Sequence, residues 1–417
     1  MILKKTGLAG MAALAFLWMT APVAAQEDAP RLIWTDADTG QLLQTVKQAG
    51  SMGLNPRDYQ PEALEKAISS GDLYAVSSTA NRIFSQLVID IRDGRTPASA
   101  RRQWYIRDDD ADYLYAQWLL DRALSQHSIA SALKAVEPIH PDYAALKAEL
   151  DRTPASNKVK RNTIRVNLDR WRWLPRNLGK RYILVNVPEF KLRLVENGKT
   201  IATHRIVVGK SKTPTPQLDV KAQGVILNPN WYVPRSILAE GLGHTIRTNP
   251  AAARAKGYAW TGSGSSLSVR QLPGPRNALG QMKLDMRNPY SIFIHDTPSK
   301  HLFERSVRAF SHGCIRTHEA VKFAKLLAQR YADKNAAAVD AILAGRKTTR
   351  LEFAEALPIY ISYFTASFDA AGNYVSFKDI YGRDRPVIQS LDKTADHHLK
   401  PDQLSLVSEC SAEKQNG

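Results

Sequence analysis

Residues 181–208 read RYILVNVPEFKLRLVENGKTIATHRIVV, and this stretch decides the fold of the second half of the chain. Apolar and polar residues alternate over 181–194 and again over 200–208, which is the period of β-strands with one buried face. Asn197 and Gly198 lie between the two runs, and an asparagine–glycine pair is a strong signal for a tight hairpin turn. The stretch therefore predicts two antiparallel strands joined at this turn.

Short segments of the same character follow the hairpin and extend the predicted sheet. They cover residues 225–227, 281–285, 291–295, 359–367 and 374–377. One clear helix is predicted among them, at 318–332. Residues 231–280 are rich in glycine and proline, and loops of that length usually cover an active site or lack a fixed structure. The second half is thus predicted to be a mostly β domain.

The first half follows the helical period of 3.6 residues instead. Helices are predicted at residues 35–49, 61–68, 74–91, 113–124 and 129–136. No chemical motif stands out in them, so residues 31–150 are interpreted as a helical scaffold domain. Residues 151–163 are polar, basic and contain a proline, which is typical of a linker. The predicted fold class is α+β, with the mostly β domain at 164–345, C-terminal strands packing on it at 350–390 and a polar tail at 391–417.

The start of the chain has the layout of a secretory signal peptide at residues 1–25. Lys4 and Lys5 precede an apolar run over 8–19, and Val23 and Ala25 fit the positions before a cleavage site. An uncleaved membrane anchor is the alternative. No later stretch approaches the roughly 20 apolar residues that a membrane span needs, so we expect no span after cleavage. The predicted compartment is the periplasm.

The formal net charge of +17 at pH 7 favours an anionic partner. Export argues against nucleic acid as that partner. Cell-wall stem peptides carry several carboxylates and share the predicted compartment, and an anionic membrane surface is the other candidate. Part of the charge is expected to lie on ordinary solvated faces.

Most of the chemistry is concentrated in residues 291–319, SIFIHDTPSKHLFERSVRAFSHGCIRTHE. Cys314 lies two residues after His312 and in the same segment as His295. A thiolate is the nucleophilic form of cysteine, and a free thiol with a pKa of about 8.5 needs a neighbouring base or cation. Gly313 allows a tight turn that exposes the sulfur and directs backbone N–H groups to one point, as in an oxyanion hole.

Three interpretations of this segment compete. The first is a cysteine acyl-transfer enzyme, in which a histidine takes the thiol proton. The second is a zinc site built from the nearby side chains of His295, His312, Cys314 and His318. The third is a purely structural thiol. The other cysteine, Cys410, lies in the polar tail, and we expect it not to form a disulfide with Cys314.

The segment resembles the signature of the L,D-transpeptidases with a YkuD-type catalytic domain, in which a histidine precedes a Ser-His-Gly-Cys motif. Flanking blocks resemble the large, periplasmic, YcbB-like branch of that family. They are LDRWRWLP at 168–175, ILVNVPEFKLRLVENG at 183–198, VVGKSKTPTP at 207–216, LNPNWYVPRSI at 227–237, GPRNALG at 274–280 and IYGRDRP at 380–386. The resemblance spans about 164–390. It favours the acyl-transfer interpretation and implies no metal and no cofactor.

The resemblance also implies roles for individual residues. Cys314 would be the nucleophile and His295 the general acid and base. His312 would shape the pocket and the oxyanion loop, with the role of base as its alternative, and Gly313 and the Cys314 amide would supply the oxyanion hole. Arg316 would fix the loop or meet a substrate carboxylate. Phe293 and Trp231 are further candidates for substrate binding.

In the reaction that the resemblance implies, Cys314 attacks the bond between diaminopimelate and the terminal D-alanine of a tetrapeptide stem. The acyl group then passes to an amine of a second stem and forms a cross-link. Water as acceptor would make an L,D-carboxypeptidase, and a lipoprotein lysine would make a lipoprotein-to-peptidoglycan ligase. Carbapenem-type β-lactams would acylate Cys314.

Members of this branch commonly carry an inserted peptidoglycan-binding module, which the sequence here lacks. A non-catalytic wall-binding protein is the alternative from another class.

Overall fold

The computed structural model describes residues 33–107 and 113–393. The predicted signal peptide at 1–25 and Cys410 lie outside these residues. None of the described helices is long and apolar enough to cross a bilayer.

Helices form the first part of the described chain, as the sequence predicts. They are α1 (Asp36–Lys47), α2 (Pro61–Ser70), α3 (Leu73–Arg92), α4 (Tyr113–Ser125) and α5 (Ile129–Ala135). The start of α1 is fixed by a capping box, in which the side chain of Thr35 and that of Asp38 each accept from the other's backbone N–H. Leu42, Ile83 and Leu120 belong to a buried apolar cluster that these helices share. The five predicted helices are confirmed.

The predicted linker at 151–163 is wrong, because most of it is helical. Helix α6 (Pro141–Arg152) runs into this segment, and α7 (Lys158–Arg172) begins within it, capped by the Asn157 side chain. Helix α7 packs between the two halves of the molecule. Trp171 of α7 stacks on Phe364 at 4.2 Å between ring centroids, so this helix joins the halves through a hydrophobic contact.

The second half is built on one large sheet. Its strands are β1 (Trp104–Tyr105), β2 (Arg181–Asn186), β3 (Lys191–Glu196), β4 (Lys199–Gly209), β5 (Gln217–Leu227), β9 (Met282–Asp285), β10 (Ile294–His295), β12 (Ile315–Thr317) and β13 (Thr349–Ser362), with β11 (Ala309–Ser311) paired to β4. The order is β1-β5-β13-β2-β3-β4-β12-β10-β9, and β9 also pairs with β5. The sheet therefore closes on itself and surrounds an apolar core.

The remaining elements lie on or beside this sheet. They are α11 (Ala320–Tyr331), α12 (Ala336–Ala344), the strand pair β14 (Ala366–Phe368) and β15 (Tyr374–Ser376), and α13 (Asp384–Asp392). Helix α11 begins six residues after Cys314 and confirms the predicted helix. It contributes Phe323, Ala324 and Leu327 to the same core as the sheet.

One strand predicted over 181–194 is in fact two. Strands β2 and β3 are antiparallel and are joined by the turn Val187–Phe190, where Phe190 has a left-handed φ of 58°. Pro188 lies in this turn and has no N–H to offer a sheet. The alternation of apolar residues continues through the turn, which is why the sequence reads as one strand. The second turn, at Asn197–Gly198, is confirmed, with both residues at positive φ.

The prediction that the C-terminal strands pack on the outside of the mostly β domain is wrong for β13. Strand β13 pairs in antiparallel fashion with β5 and in parallel with β2, so it lies inside the sheet. Only the β14–β15 pair forms a separate two-stranded sheet. The predicted boundary at 345–350 therefore cuts through a single structural unit.

Residues 231–280 fold into a small unit of their own. It contains β6 (Trp231–Tyr232), β7 (Tyr258–Thr261) and β8 (Ser268–Gln271) in the order β6-β8-β7, with the short helices α8 (Arg235–Ile237), α9 (Gly243–Thr248) and α10 (Pro250–Ala255). Val233, Ile246, Ala253 and Val269 form its buried apolar cluster. We call this part of the chain the 231–280 unit.

Candidate active site

Two strands bring the predicted nucleophile and base together. Strands β10 and β12 are parallel neighbours, with Ile294 opposite Ile315 and His295 opposite Arg316. Both isoleucines are fully buried in the sheet's core. Because side chains alternate along a strand, Cys314 and His295 both lie on the other face. A pair separated by nineteen residues in sequence is thus joined by strand pairing.

Cys314 is a free, half-buried thiol. Its S–H donates to the Ser291 carbonyl oxygen at 3.6 Å, and Ser291 has a left-handed φ of 53° that turns the chain at this point. Burial raises the pKa of the Cys314 thiol to about 11, against the opposite effect of the Phe293 backbone and the charges of Lys283 and Arg316. The resting residue is therefore a neutral thiol, which needs a base when it reacts.

His295 is held as a neutral imidazole. Its Nδ1 lies 2.5 Å from the Asp296 carbonyl oxygen. A carbonyl can only accept, so Nδ1 carries the hydrogen and Nε2 keeps a free lone pair. Burial, followed by the charges of Arg316 and Lys283, lowers the pKa of His295 to about 3. His295 is consequently in the form that can take a proton at neutral pH.

The motif loop, residues 311–314, is held in place by hydrogen bonds to several of its backbone groups. The Gly313 N–H donates to Ser311 Oγ at 3.1 Å, and Ser311 Oγ donates to the Cys314 carbonyl at 2.6 Å. The Gly313 carbonyl accepts from Thr215 Oγ1 at 2.7 Å. Since a trans peptide directs its C=O and the next N–H to opposite sides, the Cys314 N–H points away from Thr215.

This loop corrects the prediction for the oxyanion hole. The Gly313 N–H is already engaged by Ser311, so it does not serve as an oxyanion donor in this arrangement. Among hydrogen bonds of the described residues, the Cys314 N–H has no acceptor. What Gly313 contributes is its backbone conformation, because its φ of 116° is strained for any residue with a Cβ.

His312 faces the 231–280 unit. Its Nε2 lies 3.1 Å from both carboxylate oxygens of Glu240 and 3.3 Å from Lys210 Nζ. These contacts tie the motif loop to the segment between α8 and α9. The two roles considered for His312, shaping the pocket and acting as the base, both stay predictions.

The three residues predicted to bind substrate lie in two different parts of the structure. Phe293 and Arg316 lie beside the nucleophile and base: the Phe293 ring is 5.9 Å from the His295 ring in an edge-on arrangement, and Arg316 is the strand partner of His295. Trp231 is on β6, packed against the apolar cluster of the 231–280 unit. The structure therefore groups Phe293 and Arg316 with Cys314 and leaves Trp231 in the neighbouring unit.

Sequence reasoning missed one charged residue of this site. Lys283 on β9 is paired across the sheet with His295, and its Nζ lies 4.3 Å from the centroid of the Phe293 ring. A lysine in an alternating strand is ordinarily read as a solvent-facing residue. Only the pairing of its strand with β10 reveals its place, and no short motif carries that information.

The side chains of the alternative zinc site do not converge. His318 Nε2 lies 3.1 Å from Arg205 Nη2, and its ring packs edge-on to Phe303. His312 faces Glu240, as described above. In the part of the chain that the structure describes, no three histidine, cysteine or carboxylate side chains are grouped as metal ligands.

Two family models match the chain. The model of the L,D-transpeptidase catalytic domain, YkuD, matches residues 180–336, and the model of a scaffold domain matches 26–150. A protein of Haemophilus influenzae that is provisionally named an L,D-transpeptidase is 31% identical over 222 residues. That match covers 49% of this chain and 45% of the relative, so the chain spans about half the length of the relative.

Solved structures give weaker likenesses. An L,D-transpeptidase from Mycobacterium smegmatis is 11% identical, with a TM-score of 0.25 over 44% of this chain and 58% of that one. The catalytic domain of the Enterococcus faecium L,D-transpeptidase, solved acylated by ertapenem, is 13% identical, with a TM-score of 0.22 over 44% of this chain and 98% of that one. Such low scores carry no weight for function. The family matches make residues 180–336 similar to the YkuD L,D-transpeptidase catalytic domain and residues 26–150 similar to a scaffold domain that precedes it.

Proposed function

We propose that this protein is a peptidoglycan L,D-transpeptidase that uses Cys314 as its nucleophile. The observation that carries the proposal is the parallel pairing of β10 and β12, which puts a free thiol beside a buried, neutral imidazole. The donor would be a tetrapeptide stem of the cell wall. The catalytic-domain match supports the reaction class.

In the proposed first half-reaction, His295 Nε2 takes the proton of Cys314 as sulfur attacks the carbonyl carbon of the third stem residue. The carbonyl oxygen becomes an oxyanion and accepts from the Cys314 N–H. The intermediate then collapses with cleavage of the C–N bond. His295 returns its proton to the departing amine, so neutral D-alanine amine leaves and a thioester remains.

The second half-reaction reverses these roles. An amine of a second stem attacks the thioester carbonyl, and His295 takes one proton from that amine. The C–S bond breaks, the sulfur regains the proton, and an amide cross-link is released. A water molecule in place of the amine would give an L,D-carboxypeptidase, and a lipoprotein lysine would give a ligase.

The test is incubation of the protein with purified tetrapeptide muropeptides, followed by mass spectrometry. A cross-linked dimer with loss of D-alanine supports the proposal, whereas a tripeptide alone supports the carboxypeptidase. Cys314→Ala should form neither product. Activity that survives in Cys314→Ala, or that a chelator abolishes, would contradict the thiol mechanism.

We also propose that carbapenem-type β-lactams acylate Cys314. The thiol and imidazole that open the stem peptide would open a strained lactam in the same way. Intact-protein mass spectrometry should show one adduct on the wild type and none on Cys314→Ala. An equal adduct on both proteins would contradict this proposal.

Export to the periplasm is the third part of the proposal. The scaffold-domain match begins at residue 26, directly after the predicted cleavage site, which agrees with a signal peptide over 1–25. N-terminal sequencing of the protein from a periplasmic extract should begin at Gln26. An intact Met1 on a membrane-bound protein would instead support the uncleaved anchor.

A further inference from the structure

The face of the sheet that carries Cys314 also carries two cations. Arg316 follows the nucleophile by two residues on β12, and Lys283 lies across β10 on β9. His295 is therefore flanked by a guanidinium on one side and an ammonium on the other. Phe293 lies under the ammonium, with its ring centroid 4.3 Å from Lys283 Nζ.

Neither cation has a counter-ion within the described residues. Asp285, the nearest acidic neighbour of Lys283 along β9, is paired with Arg350 at 2.6 Å. Asp296, the other carboxylate close to His295, is paired with Lys300 and accepts the Gln281 N–H. Nε of Arg316 is buried and has no hydrogen-bond partner. Among the described residues, the nearby carboxylates are thus paired with other cations and leave these two half-buried charges to a ligand.

Half-buried charges without partners are unfavourable, and an anionic ligand would compensate them. Burial lowers the pKa of Lys283, and the neighbouring thiol and Asp285 only partly oppose this effect. A carboxylate is the anion that an ammonium and a guanidinium both bind well. Arg316 lies on β12, which directly follows the nucleophile, and Lys283 is the β9 partner of His295, so a carboxylate bound by both would lie next to the reacting carbonyl.

A tetrapeptide donor has a carboxylate at the required place. Its terminal residue begins at the scissile nitrogen, so its carboxylate carbon is on the order of 4 Å from the scissile carbonyl carbon by standard bond lengths. A donor with a further residue has an uncharged amide at that point. Building on the proposed function, we infer that Lys283 binds the terminal carboxylate of the acyl donor and selects donors that end one residue after the scissile bond.

The test compares two donors with three forms of the protein. The donors are the tetrapeptide stem with a free terminal carboxylate and the same stem with a terminal carboxamide. The proteins are the wild type, Lys283→Met and Lys283→Arg, with Lys322→Met as a control that removes an exposed lysine from α11. Release of D-alanine or of its amide gives kcat/KM for each combination.

With the free carboxylate, Lys283→Met should lower kcat/KM by roughly 10- to 100-fold, the effect of losing a charged hydrogen bond. Lys283→Arg should retain most of the activity, and Lys322→Met should match the wild type. With the carboxamide, the wild type should be slow and Lys283→Met should cost little more. An equal loss on both donors would overturn the inference.

A second readout separates carboxylate binding from any effect on the thiol. The rate of Cys314 alkylation by iodoacetamide is measured against pH, with and without the tetrapeptide. Weaker protection by the tetrapeptide in Lys283→Met, with an unchanged pH profile, supports the inference. A shifted profile with unchanged protection would overturn it. Because protection requires binding and no turnover, it also decides the matter if the wild type forms no cross-link.

Discussion

The hydroxyl of Thr215 donates to the carbonyl oxygen of Gly313 at 2.7 Å and also accepts the Gly209 N–H at 2.9 Å. Thr215 is fully buried and lies 98 residues before the loop that it holds. It fixes the plane of the Gly313–Cys314 peptide and thereby the direction of the Cys314 N–H. Thr215 is in this way a positioning residue for the proposed oxyanion donor.

Replacement of this hydroxyl should slow acyl transfer specifically. We expect Thr215→Val to reduce the rate of D-alanine release by about tenfold, since loss of an oxyanion donor itself costs about 100-fold or more. Thr215→Ser should restore most of the rate. Alkylation of Cys314 by iodoacetamide, which forms no oxyanion, should be equally fast in all three proteins. A parallel loss in both reactions would indicate a general folding defect instead.

Because His295 is buried in its neutral form, the stability of the folded protein should decrease in acid. The pKa of His295 is about 3 in the folded state and near 6.5 in the unfolded chain, so only the unfolded chain takes up a proton between these values. The free energy of unfolding should therefore fall as the pH drops below 6.5. From this residue alone we expect a loss of about 2 kcal/mol between pH 7 and pH 5.

Urea unfolding of the wild type and of His295→Gln measures this effect. The variant has no titrating ring, so its free energy of unfolding should fall less over the same interval by about 2 kcal/mol. Other groups titrate alike in both proteins and cancel. If the free energy of unfolding fell equally with pH in both proteins, His295 would not be buried as a neutral imidazole.

The contact between Glu240 and His312 should hold the 231–280 unit against the motif loop. Both side chains are partly exposed, so the pair is expected to contribute less than about 1 kcal/mol. In Glu240→Gln, amide hydrogen exchange over 238–249 should be a few-fold faster. His312→Gln should give the same increase, and the double variant no more than either change alone. Additive effects would mean that the two side chains act separately.

The net charge of +17 should make wall binding sensitive to salt. We expect the fraction bound to purified sacculi to fall steeply between low and high ionic strength, because screening weakens contacts between exposed charges. Cys314→Ala should bind like the wild type, which separates docking from catalysis. Binding that is unchanged at high salt would contradict an electrostatic mode of attachment.

The helices of the first half could be predicted because their apolar residues keep a regular spacing over ten or more positions. The first part of helix α7, residues 158–163, was predicted to be a linker because that segment is polar and basic. The buried positions of α7 include Arg170 and Arg172, and a charged residue is read as solvent-exposed unless its partners are known. Arg170 is paired with Asp384 at 2.7 Å, more than two hundred positions away. Such a partner is invisible in the local pattern.

The residues of the candidate site also fall into two groups, those that the local sequence indicates and those that only the fold brings to the site. Cys314, His295 and Arg316 could be proposed from one contiguous segment, since its residue types and turn residues indicate the chemistry. Lys283 and Thr215 belong to the same site through strand pairing and a hydrogen bond across the fold. No spacing rule connects them to the motif. Their place required the register of the sheet, which sequence alone does not specify.

The position of β13 inside the sheet has a consequence for the order in which the protein forms. This strand is completed only at Ser362, 48 residues after Cys314 in the chain. Until it is in place, β2 and β5 each expose an unpaired edge, which is a site for aggregation. A growing chain that already contains Cys314 and His295 therefore still lacks β13, the strand that lies between β2 and β5. The sheet that carries the active-site strands can therefore be completed only after Ser362 has been synthesised.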